Sequence, residues 1–171
     1  EKLSSGRFRA EFAEGNQMET DLVLYAIGRE PAVKDIGIEN VDVELHADGS
    51  IVVDESFCTS VDNIFALGDV VGEMQLTPVA IEEAMCFAST HFLNIKKTMD
   101  YENIATAVFC QPNVGTVGLT EDQATEAGYE IEVYRSTFRP MKHTLSGSGE
   151  KFMMKLVVDR RTDKMLGVHM V

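Results

Sequence analysis

The sequence predicts an α/β segment followed by an α+β unit, and three observations carry that prediction. Two apolar runs, Asp21–Ile27 and Ile64–Leu67, are nearly continuous, the pattern of strands buried on both faces of a parallel sheet. A helical stretch follows the second run, with Val79, Ala80, Ala84, Phe87, Ala88 and Phe92 on one face. Beyond the polar stretch at 96–100 the pattern changes to alternating segments, as in antiparallel strands with one wet face.

The elements can be justified in order. Residues 7–12 alternate in polarity and predict a half-buried antiparallel strand, closed by a turn at Gly15-Asn16. The Asp21–Ile27 run ends in Gly28-Arg29-Glu30-Pro31, where Pro31 biases Glu30 away from helix. Residues 32–50 read as irregular, with turn signals at Gly37 and Asp48-Gly49. A short strand at Ile51–Val53 precedes the second apolar run, which ends in Gly68-Asp69. After a loop over 70–77, a helix is expected from Pro78 to about Asn94, with Thr77 as its N-cap. Lys96–Asp100 is polar and reads as a linker at a domain boundary.

The remainder reads as strands at Ala107–Cys110 and Val114–Leu119 joined by Gln111-Pro112-Asn113. Thr120-Glu-Asp-Gln123 is a capping box opening a helix that stops at Gly128. Ile131–Phe138 and Lys151–Val158 alternate as strands, and Arg160–Asp163 turns into a last strand, Met165–Val171. Three or more antiparallel strands with one helix define an α+β unit. The last run stops in mid-strand and the first residue is not Met, so a piece of a longer chain is expected.

Composition excludes several classes. The formal net charge is −13, which repels phosphate backbones and anionic lipid, so neither nucleic acid nor membrane is an expected partner. No apolar run approaches the roughly 20 residues that span a bilayer. Cys58, Cys86 and Cys110 are far apart and read as buried or inert thiols of a reducing compartment, hence a cytoplasmic location. The four histidines show no metal-ligand spacing, and His169 reads as a satisfied core residue. Met153, Met154, Met165 and Met170 read as core fillers, and Glu82-Glu83 as a solvated helix face.

Three segments carry chemistry together: Tyr25-Ala26-Ile27-Gly28-Arg29, Thr59-Ser-Val-Asp-Asn-Ile-Phe-Ala-Leu-Gly-Asp69, and Leu76-Thr77-Pro78-Val79-Ala80. A carboxylate at a strand tip sits where doubly wound sheets bind ligands and can accept from sugar hydroxyls. A helix opening just beyond it offers unpaired amides and a positive dipole end. In this order and spacing, over almost the whole chain, the segments resemble the flavoprotein disulfide reductases. Phe109-Cys-Gln-Pro-Asn-Val-Gly-Thr-Val-Gly-Leu-Thr-Glu121, Phe138-Arg-Pro-Met-Lys-His-Thr-Leu145, Met154-Lys-Leu-Val-Val158 and Leu166-Gly-Val-His-Met-Val171 narrow the likeness to the bacterial glutathione reductase group. Lipoamide dehydrogenases usually carry an Ala-His-Lys-type run where this chain has Leu76–Ala80.

The resemblance implies a Rossmann-like arrangement: residues 1–28 ending an NADPH-binding domain, 29–98 an FAD-binding segment, and 99–171 an incomplete dimerisation domain. It implies FAD contacts at Asp69, Gly68, Leu76 and Thr77, with Asp69 on the ribityl chain. It implies NADPH contacts at Gly28, Gln75 and Ala107, a homodimer, and glutathione disulfide as substrate. Met85 stands where many members have an Arg that pairs with a substrate carboxylate. A thioether cannot make that charge-assisted pair, which leaves trypanothione or another glutathione-like disulfide open. The family's redox cysteine pair, its Gly-rich motifs and its catalytic His-Glu pair have no counterpart among these residues, so no catalytic residue is expected here. The rival reading is a non-catalytic dimerisation or binding module.

Overall fold

A computed structural model describes residues 1–171. Strands β1 (Phe8–Glu11) and β2 (Gln17–Thr20) form an antiparallel hairpin in which Arg9 opposes Glu19. Their side chains make an ion pair at 2.8 Å, and Arg7 reaches Asp21 at 3.0 Å. The hairpin is therefore laced by surface charge pairs, which solvent and salt screen.

The Asp21–Ile27 run does not form the expected strand. It is extended and uncovered, with Leu22, Leu24, Tyr25 and Ile27 all at least 79% exposed. A parallel strand exists only through neighbours that take its backbone hydrogen bonds. Every strand pair in this chain is antiparallel, and none involves residues 21–27. The expected strands at 51–53 and 64–67 also reduce to isolated bridges, Leu45 to Ile51 and Cys58 to Phe65. Their side chains nevertheless make a small core: Ile51, Ala66 and Val71, covered by Val33, Ile38, Val43, Val53 and Val70.

Helix α1 spans Thr77–Phe92, so it starts one residue before and stops two residues short of the expected range. Its flanking residue is Leu76, and the Thr77 side chain makes no capping bond. A Leu76 amide bond to the Met74 carbonyl at 2.8 Å tightens the approach and lets Thr77 enter the helix. The buried residues of α1 are Val79, Glu83 and Cys86, one face at helical spacing. Near its C-terminal end Phe87 and His91 pack on Phe65, and the His91 Nε2 lies 2.8 Å from the Ser56 carbonyl. The connection after α1 is fastened back onto it: Lys97 bonds Glu82, and the Thr90 hydroxyl reaches the Lys97 carbonyl at 3.0 Å.

The rest is a five-stranded antiparallel sheet in the order β3-β4-β7-β6-β5. The strands are β3 (Thr106–Val108), β4 (Val114–Gly118), β5 (Ile131–Phe138), β6 (Phe152–Asp159) and β7 (Lys164–Met170). Helix α2 (Glu121–Glu126) opens with the expected capping box, in which Thr120 and Gln123 each accept from the other's amide. Ala124 of α2 is fully buried against Val157 and Leu166, with Leu119 and Ile131 around them. Glu121 holds α2 to the sheet by accepting from both Arg135 and Lys155. A short helix α3 (Lys142–Ser146), not foreseen from sequence, follows Pro140.

Three other expectations need correction. Met165 is 55% exposed and Met170 is also at the surface, one near each end of β7, whereas Leu166 of the same strand is buried. Cys110 is exposed on the loop after β3, with its thiol 2.9 Å from the Pro112 carbonyl, whereas Cys86 is buried. His169 is satisfied as expected, its two ring nitrogens engaging the Thr116 hydroxyl and the Leu119 carbonyl. The whole chain exposes 13020 Å², against roughly 8300 Å² for a compact monomer of its mass by the usual size scaling.

Candidate functional site

The Asp69 carboxylate and Gln75, two residues before α1, meet at one cleft. A 3₁₀ turn, Gly68–Val71, carries Asp69, and its entry needs the left-handed conformation that Gly68 adopts at φ 75°. The turn is pinned from two sides. The Ile51 amide donates to the Val70 carbonyl at 2.9 Å, and the Gly68 amide donates to the Glu83 carboxyl at 2.6 Å. A Cβ at Gly68 would already touch the Ala80 methyl at 3.4 Å, so turn and helix are in direct contact.

The cleft has a volume of about 430 Å³ and is lined by Arg29, Glu30, Pro31, Ala32, Asp69, Val70 and Gln75. Asp69 is half exposed, and its only charged neighbour is Arg29 at 3.8 Å. Its carboxylate oxygens thus keep free acceptor positions. At the start of α1, the Thr77 and Val79 amides have no acceptor within the chain, and no acidic residue occupies the first turn. The unpaired amide of exposed Thr77, at an uncompensated positive helix end, suits an electron-rich edge of a ligand, whereas Val79 is buried. The adjoining carboxylate suits a hydroxyl-bearing chain. The donor set therefore fits one ligand that offers both.

Of the residues singled out from sequence, Asp69 and Gln75 line the cleft, while Gly68, Leu76 and Thr77 flank it in the chain. Gly28 precedes the cleft residue Arg29 and is exposed at φ 150°. Met85 lies on the exposed face of α1, and Ala107 pairs with Gly115 on the edge strand β3; neither lines the cleft. The sequence reading missed Arg29 and Glu30 as cleft walls, although the charged pair after Gly28 was the available signal. It also misplaced Glu83. Glu82 is at the surface against Lys97, but Glu83 is 1% exposed, a position that its four-residue spacing from Val79 and Phe87 already implied.

Comparison with known proteins gives the class. The profile of the pyridine nucleotide-disulphide oxidoreductases matches residues 2–84, and that of their dimerisation domain matches residues 104–171. The chain belongs to the pyridine nucleotide-disulphide oxidoreductase family. It is 44% identical over 169 residues to the chloroplastic/mitochondrial glutathione reductase of Pisum sativum, covering 99% of this chain and 31% of that protein. It is 40% identical over 161 residues to the trypanothione reductase of Trypanosoma congolense, covering 94% of this chain and 33% of that protein. Among solved structures, the HOCl-induced flavoprotein disulfide reductase RclA from Escherichia coli superimposes with a TM-score of 0.83 at 31% identity. That match covers 92% of this chain and 37% of RclA. The chain thus spans about a third of the length of the curated relatives it matches.

Proposed function

We propose that this chain supplies the flavin edge and subunit interface of an FAD-dependent NADPH:glutathione-disulfide reductase. The observation that carries the reading is the cleft that brings the Asp69 carboxylate and Gln75 together, with the unpaired amide of exposed Thr77 two residues beyond Gln75 in the chain. Bound FAD supplies the relay of two electrons from NADPH to a disulfide. The residues of this chain bind and orient it. Asp69 would accept from ribityl hydroxyls, the Thr77 amide would face the ring edge that gains negative charge, and Gly68 and Leu76 would allow close approach. Gly28, Gln75 and Ala107 serve the nicotinamide side through backbone or adjacent contacts. No side chain here attacks sulfur, and the activity belongs to the protein in which these residues are one part.

Residues 1–28, 29–98 and 99–171 are proposed to belong to NADPH-binding, FAD-binding and dimerisation domains respectively. The five-stranded sheet is the proposed contact with a second copy. The cytoplasm is the proposed setting, a reading supported by the absence of any disulfide among the three cysteines. No helix is long and apolar enough to cross a membrane. Exposed Met85, which offers no charge to a substrate carboxylate, favours a second reading in which trypanothione or a related disulfide is reduced.

The test uses the full-length protein. Asp69→Ala is expected to lose visible flavin absorbance on desalting, while the parent protein keeps it; equal retention by both would remove Asp69 from the reading. Turnover with oxidised glutathione against trypanothione disulfide decides between the two substrates.

A further inference from the structure

Glu83 is the largest fully buried side chain in the chain, and its carboxyl group carries no role in the reading above. Removing a carboxyl group from water costs several kcal/mol unless donors engage its oxygens. Both oxygens are engaged. Oε2 accepts from the Gly68 amide at 2.6 Å, and Oε1 accepts from the Tyr101 hydroxyl at 2.8 Å. The three groups come from different parts of the chain: the turn that carries Asp69, the second turn of α1, and the connection that enters the five-stranded sheet. Burial first, and then the bond to Glu83, hold the Tyr101 hydroxyl far above its ordinary range, so it stays a donor.

We propose that Glu83 is a positioning residue for the bound flavin, setting the spacing between the Asp69 carboxylate and the unpaired Thr77 amide that opens α1 and tying that spacing through Tyr101 to the sheet domain. The inference rests on the flavin reading above. The geometry is direct: Gly68 precedes Asp69, and Glu83 lies on the second turn of the helix that Thr77, with its unpaired amide, opens. Truncating Glu83 leaves the Gly68 amide without an acceptor and frees the turn from the helix. The Asp69 carboxylate and the Thr77 amide then no longer meet one ligand at a fixed separation. Gln at this position keeps an acceptor for Gly68 and offers a donor to the Tyr101 oxygen.

The experiment compares full-length E83A, E83Q, E83D, Y101F and D69A with the parent protein, reading the FAD dissociation constant, the flavin absorption band and its midpoint potential. E83A is expected to weaken FAD binding at least tenfold and to shift both band and potential. E83Q restores affinity to within about threefold, and Y101F gives a smaller loss than E83A. E83D, one methylene too short to reach both donors, behaves like E83A. Should E83A fail to fold, E83D decides, and parent-like affinity and spectrum in E83D overturn the proposal. A lower melting temperature of the apoprotein with unchanged FAD affinity and spectrum in E83A also overturns it. If D69A loses FAD while E83A does not, the positioning role alone falls; if the parent protein takes up no FAD, the flavin reading falls with it.

Discussion

Gly118 of β4 and Gly167 of β7 face each other across the sheet, and neither position has room for a side chain. A Cβ on Gly118 would strike the Leu166 carbonyl oxygen, and one on Gly167 would strike the Leu119 carbonyl oxygen. These carbonyls are in use, since Leu166 accepts from the Leu119 amide at 2.9 Å and Leu119 accepts from His169 at 3.0 Å. The pair lets the end of β4 turn closely over β7 and delivers the chain to the Thr120 cap.

Gly118→Ala and Gly167→Ala are therefore expected to destabilise the protein by about 2 to 4 kcal/mol each. The collision is with backbone, and Gly118 also needs φ 74°. Gly149→Ala, which meets nothing within 4 Å and needs no positive φ, is the control. It is expected to stay within about 0.5 kcal/mol of the parent in thermal denaturation.

The capping box gives a second, smaller expectation. Thr120 accepts from the Gln123 amide at 3.2 Å, and Gln123 accepts from the Thr120 amide at 3.0 Å. Thr120→Ala removes one bond of the pair and is expected to cost about 1 kcal/mol. Thr120→Ser should restore most of it, as read from denaturant midpoints.

Acid should weaken the sheet domain in a defined window. Lys155 and then Arg135 hold the Glu121 carboxyl below its usual range, and the Thr162 hydroxyl and Arg161 amide do the same for Asp159. A carboxylate depressed in the folded state contributes stability that is complete above its unfolded value, about 4, and is lost as pH falls through the folded value. Melting temperature is thus expected to be flat in these groups above about pH 5 and to fall below about pH 4. Glu121→Gln should flatten part of that fall; an unchanged acid limb would exclude Glu121 as a contributor.

Thiol labelling should separate the cysteines. Cys110 is exposed, whereas burial pushes the thiols of Cys58 and Cys86 up, so less thiolate is present at neutral pH. A disulfide reagent is expected to modify Cys110 quickly in the native 171-residue chain and Cys86 only on unfolding. Equal rates would contradict the burial of Cys86 on α1.

Local chemistry decided which elements were legible. The Thr120–Gln123 box, the eight residues of β5 and the strand and turn leading to Gly15 carry their partners within a few positions or show a clean alternation, whereas β2 (Gln17–Thr20) was not foreseen. Asp21–Ile27 carried an equally strong pattern, but a parallel strand takes its definition from neighbours distant in sequence, and this chain pairs it with none. Asp69 was readable as the carboxylate ending an apolar run and Gln75 only through the family resemblance, and the two do meet at the cleft. The cleft walls Arg29 and Glu30 were not, because the approach of the 29–32 segment to the 69–75 loop is tertiary. Glu83 was read by its charge when its helical spacing assigned it to the interior.

Strands β6 and β7 are consecutive in sequence and meet across the four-residue turn 160–163, so a short loop closes them and their pairing has a low entropic threshold to formation. This hairpin is consequently where the sheet is expected to start, with β4 docking beside β7 and β5, reached across the longer 139–151 connection, docking beside β6 afterwards.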